Sequence, residues 1–427
     1  MTVNRFDVLI VGGGPSGATI AALLAERGER VVVVEKDRHP RFHIGESLLP
    51  LNLPLFEALG VKDQIDRIGM PKYGVEFVSP WHDTTTQLDF AQSWDKSLFY
   101  SYEVRRSEFD HILLKNAAAK GACVIEGCRI SQVEFPPEGG VTATGQDSDG
   151  QEQQFEAKFL VDASGRDTLL AGRLGIKQRN RRHASAAVFG HFTGAQRLPG
   201  KAAGNISIFW FNHGWFWFIP LADGTTSIGA VCPPEFMKQR KTDVTSFLQS
   251  LIAQCPALAE RLAGAQMTGP ATATGNYSYR AERMSGTNYI MLGDAYAFID
   301  PVFSTGVYLA MKSAFLGADV VTACLHQPTE ANRTLRRFET EMQGALATFS
   351  WYIYRVNTPA MRDLFMAPRN YFRMQEAMLS LLSGDVFDRS PIHSRLMLFK
   401  AIFYIKSFIF QQADRFARWS ALRSREA

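Results

Sequence analysis

The chain has 427 residues, enough for two or three domains at roughly 150 residues each. Apolar residues make up 46% and charged residues 21%, which excludes a disordered tail, a collagen and a small disulfide scaffold. Lys plus Arg number 46 against 42 Asp plus Glu, and a net charge of +4 is too mild to argue for nucleic acid. Five scattered cysteines give neither a disulfide framework nor a zinc spacing, so no metal is expected. The start of the chain runs straight into an apolar strand without a signal-peptide pattern, and no 18 consecutive residues are apolar. The expectation is a protein of the reduced cytoplasm.

In chain order, residues 7–11 form an apolar run that reads as a buried parallel strand. Residues 18–27 read as a helix stopped by Gly28, and 31–34 as a second buried strand closed by Glu35. An irregular loop at 41–50 precedes a helix at 51–59. Residues 73–101 alternate aromatic and polar and read as strands, and 109–120 is helical. Strands at 123–134 and 153–161 flank a polar hairpin at 145–150. Four aromatic-rich strands follow at 187–192, 206–212, 215–220 and 226–231, then a helical stretch at 243–263. An apolar strand at 289–292 and a long helix at 306–325 complete the body, and the chain beyond 330 is almost wholly helical.

Between the first strand and helix lies Gly12-Gly13-Gly14-Pro15-Ser16-Gly17, a Gly-x-Gly-x-x-Gly turn. Gly12 permits the tight turn, Gly14 lets backbone approach a pyrophosphate, and Gly17 lets helix and strand pack closely. Ser16 sits inside the turn, at a helix start whose free N–H groups favour phosphate. Glu35 follows Gly17 by 18 residues, placed to accept from ribose hydroxyls. The turn by itself does not choose between NAD and FAD. The strand ending in Gly293-Asp294 decides it: a carboxylate there is placed to accept from a ribityl hydroxyl of a flavin. Arg106 opens a helix within reach of a phosphate or the flavin, and Asp162-Ala-Ser-Gly165 ends another strand beside the glycine turn.

In this order and spacing, the sequence resembles the FAD-dependent monooxygenase superfamily of the p-hydroxybenzoate hydroxylase type over residues 5 to about 325. Two further segments resemble flavin-dependent halogenases: Gly214-Trp215-Phe216-Trp217-Phe218-Ile219-Pro220, with the family's Trp-x-Trp-x-Ile-Pro, and Phe298-Ile-Asp-Pro301-Val-Phe-Ser304-Thr-Gly306, with its Phe-x-x-Pro-x-x-Ser-x-Gly. The helical tail resembles the branch acting on phenolic, pyrrolic or carrier-tethered substrates. The resemblance implies an α/β fold: a Rossmann-like FAD-binding domain (1–75, 100–180 and 280–328), an inserted mixed β-sheet substrate domain (76–99 and 181–279) and a C-terminal helical region (329–427).

It also implies roles. Trp215, Trp217 and Ile219 alternate along a strand and share one face; with Pro220 they would crowd the flavin and obstruct direct monooxygenation. Residues 301–306, with Pro301 and Ser304, lead into a helix whose free amides suit an anion, and Thr305 and Gly306 would hold chloride or bromide. Ser304 alone reads as a helix cap. Lys72, in Lys-Tyr-Gly74, matches the catalytic lysine, which either hydrogen-bonds hypohalous acid as the ammonium or, with a lowered pKa, becomes a haloamine. Phe303 stands where tryptophan halogenases carry glutamate, which argues against free tryptophan. His43 and Glu46 are the candidates for a substrate-activating base.

The implied reaction oxidises chloride or bromide through a flavin hydroperoxide and halogenates a phenol or pyrrole in secondary metabolism. A single dinucleotide fingerprint implies that FADH2 comes from a partner reductase. An aromatic hydroxylase or an isoprenoid or polyene reductase is the alternative on the same fold. Residues 390–427 carry seven Lys/Arg (Arg395, Lys400, Lys406, Arg415, Arg418, Arg423 and Arg425) against Asp414 and Glu426, with apolar residues at helical spacing. They read as a helix packed on the body with solvated basic residues; docking of an acidic acyl carrier protein or contact with a membrane surface are the sharper alternatives.

Overall fold

A computed structural model describes residues 4–275, 278–387 and 391–426, the side chains of Asp414 and of residues 416–426 excepted. The charges at Asp414, Arg418, Arg423, Arg425 and Glu426 therefore lie outside the described side chains.

The apolar runs near the N-terminus build the centre of an eight-stranded sheet. Its order is Ser285–Gly286, Tyr289–Met291, Glu152–Asp162, Asn4–Val11, Val31–Glu35, Cys123–Glu126, with Val141–Asp147 and Cys128–Glu134 attached beside Glu152–Asp162. The central pairs are parallel, and Val11 lies opposite both Val34 and Asp162. Val8–Ile10 and Val31–Val34 are fully buried because helices cover the sheet. The expected strand at 123–134 is broken at Gly127, whose φ of +74° turns the chain from one partner to another.

The aromatic strands form a second eight-stranded sheet, in the order Gln266–Met267, Ala186–Thr193, Thr226–Cys232, Gly214–Pro220, Ile206–Phe211, Gly74–Val78, Thr86–Asp89, with Thr272–Thr274 also on Ala186–Thr193. Both of its faces are covered. Phe216 and Phe218 point to helices Val244–Ala253 and Pro256–Arg261, while Trp215, Trp217 and Ile219 point the other way into the main core. Period-two alternation with two buried faces reads as one continuous apolar run. The helical stretch expected at 243–263 is two helices, because Pro256 cannot continue the first.

Helix Thr305–His326 is long and apolar enough to cross a membrane by length and composition, but 67% of its most apolar window is buried against protein. It packs on helices Pro15–Glu26 and Pro328–Ile353, so its apolarity belongs to the core. The last helix, Ile392–Glu426, buries Ile392, Leu396, Phe399 and Phe403 and leaves Met397, Ile405, Phe408 and Ile409 exposed. Three of its basic residues are not simply solvated. Arg395 lies over the Trp94 ring, Lys400 over Trp351, and Lys406 pairs with Asp363.

Candidate active site

The two sheets and helix Thr305–His326 enclose a cavity of about 600 Å³, within the range of cofactor sites. Gly12, Gly14, Ser16 and Glu35 line it on the first sheet's side. Here each glycine has a different reason. Gly12 has φ +103°, and a Cβ would meet the Ala163 carbonyl oxygen at 2.4 Å. Gly17 does not line the cavity; a Cβ there would stand 1.9 Å from the Gly12 carbonyl oxygen, so its work is packing. Gly14 faces open space, with only Arg41 Nη2 at 3.7 Å. Glu35 is buried and accepts from the Gly13 amide at 2.6 Å and the Asp37 amide at 2.9 Å, which pins the turn to the second strand.

Four arginines line the cavity: Arg41, Arg106, Arg129 and Arg166. Arg106, the first residue of helix Arg106–Ala119, donates twice to Asp110 (2.8 and 3.0 Å) and to the Ile44 carbonyl at 2.9 Å. Arg41 donates to the same Asp110 at 3.0 Å. Burial pushes Asp110 up, yet the two guanidiniums outweigh it and hold the carboxyl below its ordinary value. Arg166 donates to Thr274 Oγ1 at 2.6 Å and to the Gly275 carbonyl. Across the cavity, burial pushes Asp294 up to about 6, with Arg166 and Arg106 pulling it back.

The far wall is Trp215, Trp217 and Ile219, with Pro301, Ser304, Thr305 and Gly306 beside it. The Trp215 and Trp217 rings are 6.1 Å apart. Trp217 lies against Gly229 of the next strand, where a Cβ would be 2.2 Å from the ring, and its Nε1–H donates to Ser227 Oγ at 3.1 Å. Pro220 is buried but lies outside the lining. Ser304 differs from the expectation of a capping serine: its backbone is left-handed (φ +57°) and its side chain makes no cap hydrogen bond. The first turn of Thr305–His326 carries no acid, and Thr305, Gly306 and Val307 line the cavity, so the helix start brings uncompensated positive dipole to this wall.

Lys72 lies behind the 41–50 loop, not in the lining. It is 1% exposed, and Nζ donates to Ser47 Oγ at 2.8 Å and to the Leu48 carbonyl at 2.5 Å. Ser47 does line the cavity and stands between it and the amine. Desolvation lowers the Lys72 pKa, with Glu103 opposing. Of the candidate bases, both line the cavity, but each is engaged. His43 Nδ1–H donates to the Ile44 carbonyl at 2.6 Å, and burial, with Arg106, pushes its pKa down to about 4. Glu46 takes a hydrogen bond from His191 Nε2 at 2.9 Å. Phe303 turns to Phe365 (6.0 Å, edge-on), whose ring lies tilted against Phe77 at 4.8 Å.

The residues fit FAD. A glycine turn open at Gly14, a buried acid at Glu35, cationic side chains and a second carboxylate at Asp294 surround one cavity. Comparison with known proteins agrees. The FAD binding domain family matches residues 5–340. A tryptophan 2-halogenase of Chondromyces crocatus is 36% identical over 357 residues, 81% of this chain and 67% of the relative. The chain belongs to the flavin-dependent halogenase family. Among its other halogenase relatives is the 1H-pyrrole-2-carbonyl-[peptidyl-carrier protein] chlorinase of Pseudomonas fluorescens, 28% identical over 411 residues and 91% of each chain. The solved structure of the myxobacterial chondrochloren halogenase superposes with a TM-score of 0.78 at 32% identity, covering 91% of this halogenase and 92% of that chain.

Sequence reasoning missed Arg41, Asp110, Arg166, Ser47 and Glu103 in this halogenase. Asp110 had a local signal, since Arg106 and Asp110 are four apart on one helix. The others are joined only by the fold.

Proposed function

We propose that this halogenase receives reduced FAD from a separate flavin reductase and uses dioxygen with chloride or bromide to halogenate an electron-rich phenol or pyrrole, free or carrier-tethered. The reading rests on one observation: the glycine turn, the Trp215–Trp217 wall and the bare helix start at Thr305–Gly306 line the same cavity. Reduced FAD, when bound, supplies with dioxygen the oxidising power that turns halide into hypohalous acid.

Each part of the chain then has a task. The amides of Thr305 and Gly306, at the positive end of a helix dipole, attract the halide. The indoles of Trp215 and Trp217 occupy the volume an organic substrate would need to reach the flavin directly. Lys72, beyond Ser47, positions the electrophilic halogen for the ring. The strand that follows Lys72 carries Phe77, and Phe77, Phe365 and Phe303 form an aromatic chain without a carboxylate. Such surroundings suit a ring already activated by its own oxygen or nitrogen. The pyrrole-carrier chlorinase among the relatives supports a tethered pyrrole, and the tryptophan 2-halogenase makes tryptophan the necessary control.

The test is incubation with reduced FAD, dioxygen and chloride or bromide over phenols, pyrroles and tryptophan, read by halogen isotope pattern. Halogenated phenol or pyrrole with unmodified tryptophan is expected; tryptophan as the preferred substrate overturns the substrate class. Crystals soaked in bromide with FAD should show an anomalous peak at the Thr305 and Gly306 amides, and its absence counts against this halide site.

A further inference from the structure

Glu103 has no task in the scheme above. It ends strand Ser101–Glu103, which pairs antiparallel with Met70–Lys72, so that Lys72 faces Ser101 and Met70 faces Glu103. The carboxylate is completely buried, and among the described residues neither oxygen has a partner in hydrogen-bond geometry, although the Ser47 hydroxyl lies close enough to lower its pKa. Buried polar atoms are nearly always paired, and a lone buried charge is costly. The nearest cation is Lys72, with Nζ 3.8 Å from Glu103 Oε1. Two of the three ammonium protons are accounted for at Ser47 and Leu48. The Phe90 ring, 5.7 Å from Nζ, helps to keep water out.

We propose that Glu103 is the counter-charge and proton partner of Lys72: a positioning residue that holds the amine at the Ser47 edge of the cavity in a pair carrying one proton. This rests on the reading of Lys72 given under Proposed function. The proton moves between Nζ and Oε1, from ammonium–carboxylate to amine–carboxylic acid, and the pair is neutral in both states. In water the two groups titrate roughly six pH units apart. Burial narrows that gap from both sides, lowering Lys72 and pushing Glu103 up to about 8. The pair can therefore present a neutral amine without releasing a proton to solvent.

The other charge acting on Glu103 is Glu46, which raises it and is itself held by His191 at 2.9 Å and by Arg105 at 3.9 Å. Tyr102, between the pair's strand positions, points to the opposite face and donates to Asp66 at 2.7 Å.

The experiment compares Glu103→Gln and Glu103→Asp with the wild type. FAD affinity should be unchanged, because the glycine turn lies elsewhere. Removing the carboxylate withdraws the group that favours the ammonium. In Glu103→Gln, the Lys72-controlled limb of the pH profile for halogenated product should move at least one pH unit lower. Glu103→Asp keeps the charge and should leave that limb within about half a unit of wild type. A Glu103→Gln profile superimposable on wild type overturns the proposal. Melting of the flavin-free protein gives a second, activity-free readout. Lys72→Met should lower the melting temperature at pH 9, where Glu103 is ionised in the unfolded chain but has lost its counter-charge in the fold, and adding Glu103→Gln should recover the loss. No recovery overturns the pairing. If Lys72→Ala halogenates at the wild-type rate, the halogen-positioning reading of Lys72 fails instead, and the melting cycle judges the pair independently.

Discussion

Gly14 and Gly17, the second and third glycines of the motif, give a prediction that separates folding from cofactor binding. Gly17→Ala would put a methyl group 1.9 Å from the Gly12 carbonyl oxygen, a backbone atom that cannot step aside without opening the strand–helix contact. Overpacking of that kind costs about 1–3 kcal/mol. The flavin-free protein should therefore melt several degrees lower. Gly14→Val meets no such obstacle. Gly14 has φ −73° and ψ −171°, ordinary extended backbone, and the nearest atom to its Cβ is Arg41 Nη2 at 3.7 Å, an ordinary van der Waals contact. Its apoprotein should melt close to wild type. The valine instead fills the surface from which the turn's amides would reach the pyrophosphate. Two charge-assisted hydrogen bonds at about 1.5–3 kcal/mol each amount to about 3–6 kcal/mol, or a factor of at least about 100 in affinity. Differential scanning fluorimetry without flavin and FAD titration by fluorescence quenching measure the two effects. Full FAD affinity in Gly14→Val would refute the pyrophosphate assignment, and wild-type melting in Gly17→Ala would refute the packing argument.

Further outcomes follow from the same geometry. Lys72→Ala should bind FAD normally and consume reduced flavin, while halogenated product falls at least about 100-fold; mass spectrometry of product per flavin oxidised checks this, and near-wild-type yield sinks the role. Asp294, pushed up to about 6 by burial, stabilises the flavin-free fold while protonated. That contribution is complete below its unfolded pKa, near 4, and is lost as pH rises through 6. Urea unfolding at pH 4.5 and 7.5 should show Asp294→Asn gaining relative to wild type at the higher pH, by no more than about 3 kcal/mol, with weaker FAD binding as the cost. A gain equal at both pH values would contradict the burial of this carboxyl. Thr305→Pro removes one of the two proposed halide amides and should weaken bromide binding while FAD still binds, as the anomalous peak height at fixed bromide reports.

Much of this was legible because it is local in sequence. The glycine turn announces itself through strand, turn, helix and terminal acid within 35 residues. Trp215, Trp217 and Ile219 do so through simple alternation. Gly17 carries its packing reason in the motif, and the structure adds only that it stays out of the cavity lining. Ser304 misled because residue type suggests a cap, whereas its left-handed backbone is set by the tight Pro301–Phe303 turn before it. The Glu103–Lys72 and Arg41–Asp110 pairs were illegible because they join residues 31 and 69 positions apart, with no periodicity between them. Charged residues look alike in sequence whether they meet solvent or each other. Only the antiparallel pairing of two three-residue strands brings Glu103 within reach of Lys72.

The contact between Trp217 and Gly229 bears on how such a cavity is sized. The indole rests directly on a neighbouring strand because no side chain intervenes, and Ser227 fixes its tilt. Position 229 thus works as a shim behind a panel. A methyl group inserted there would drive the ring forward into the cavity without altering any residue that lines it. The width of the cavity is in this way adjustable from a position outside its lining, and libraries aimed at larger or smaller aromatic substrates should include the strand behind the tryptophans as well as the tryptophans themselves.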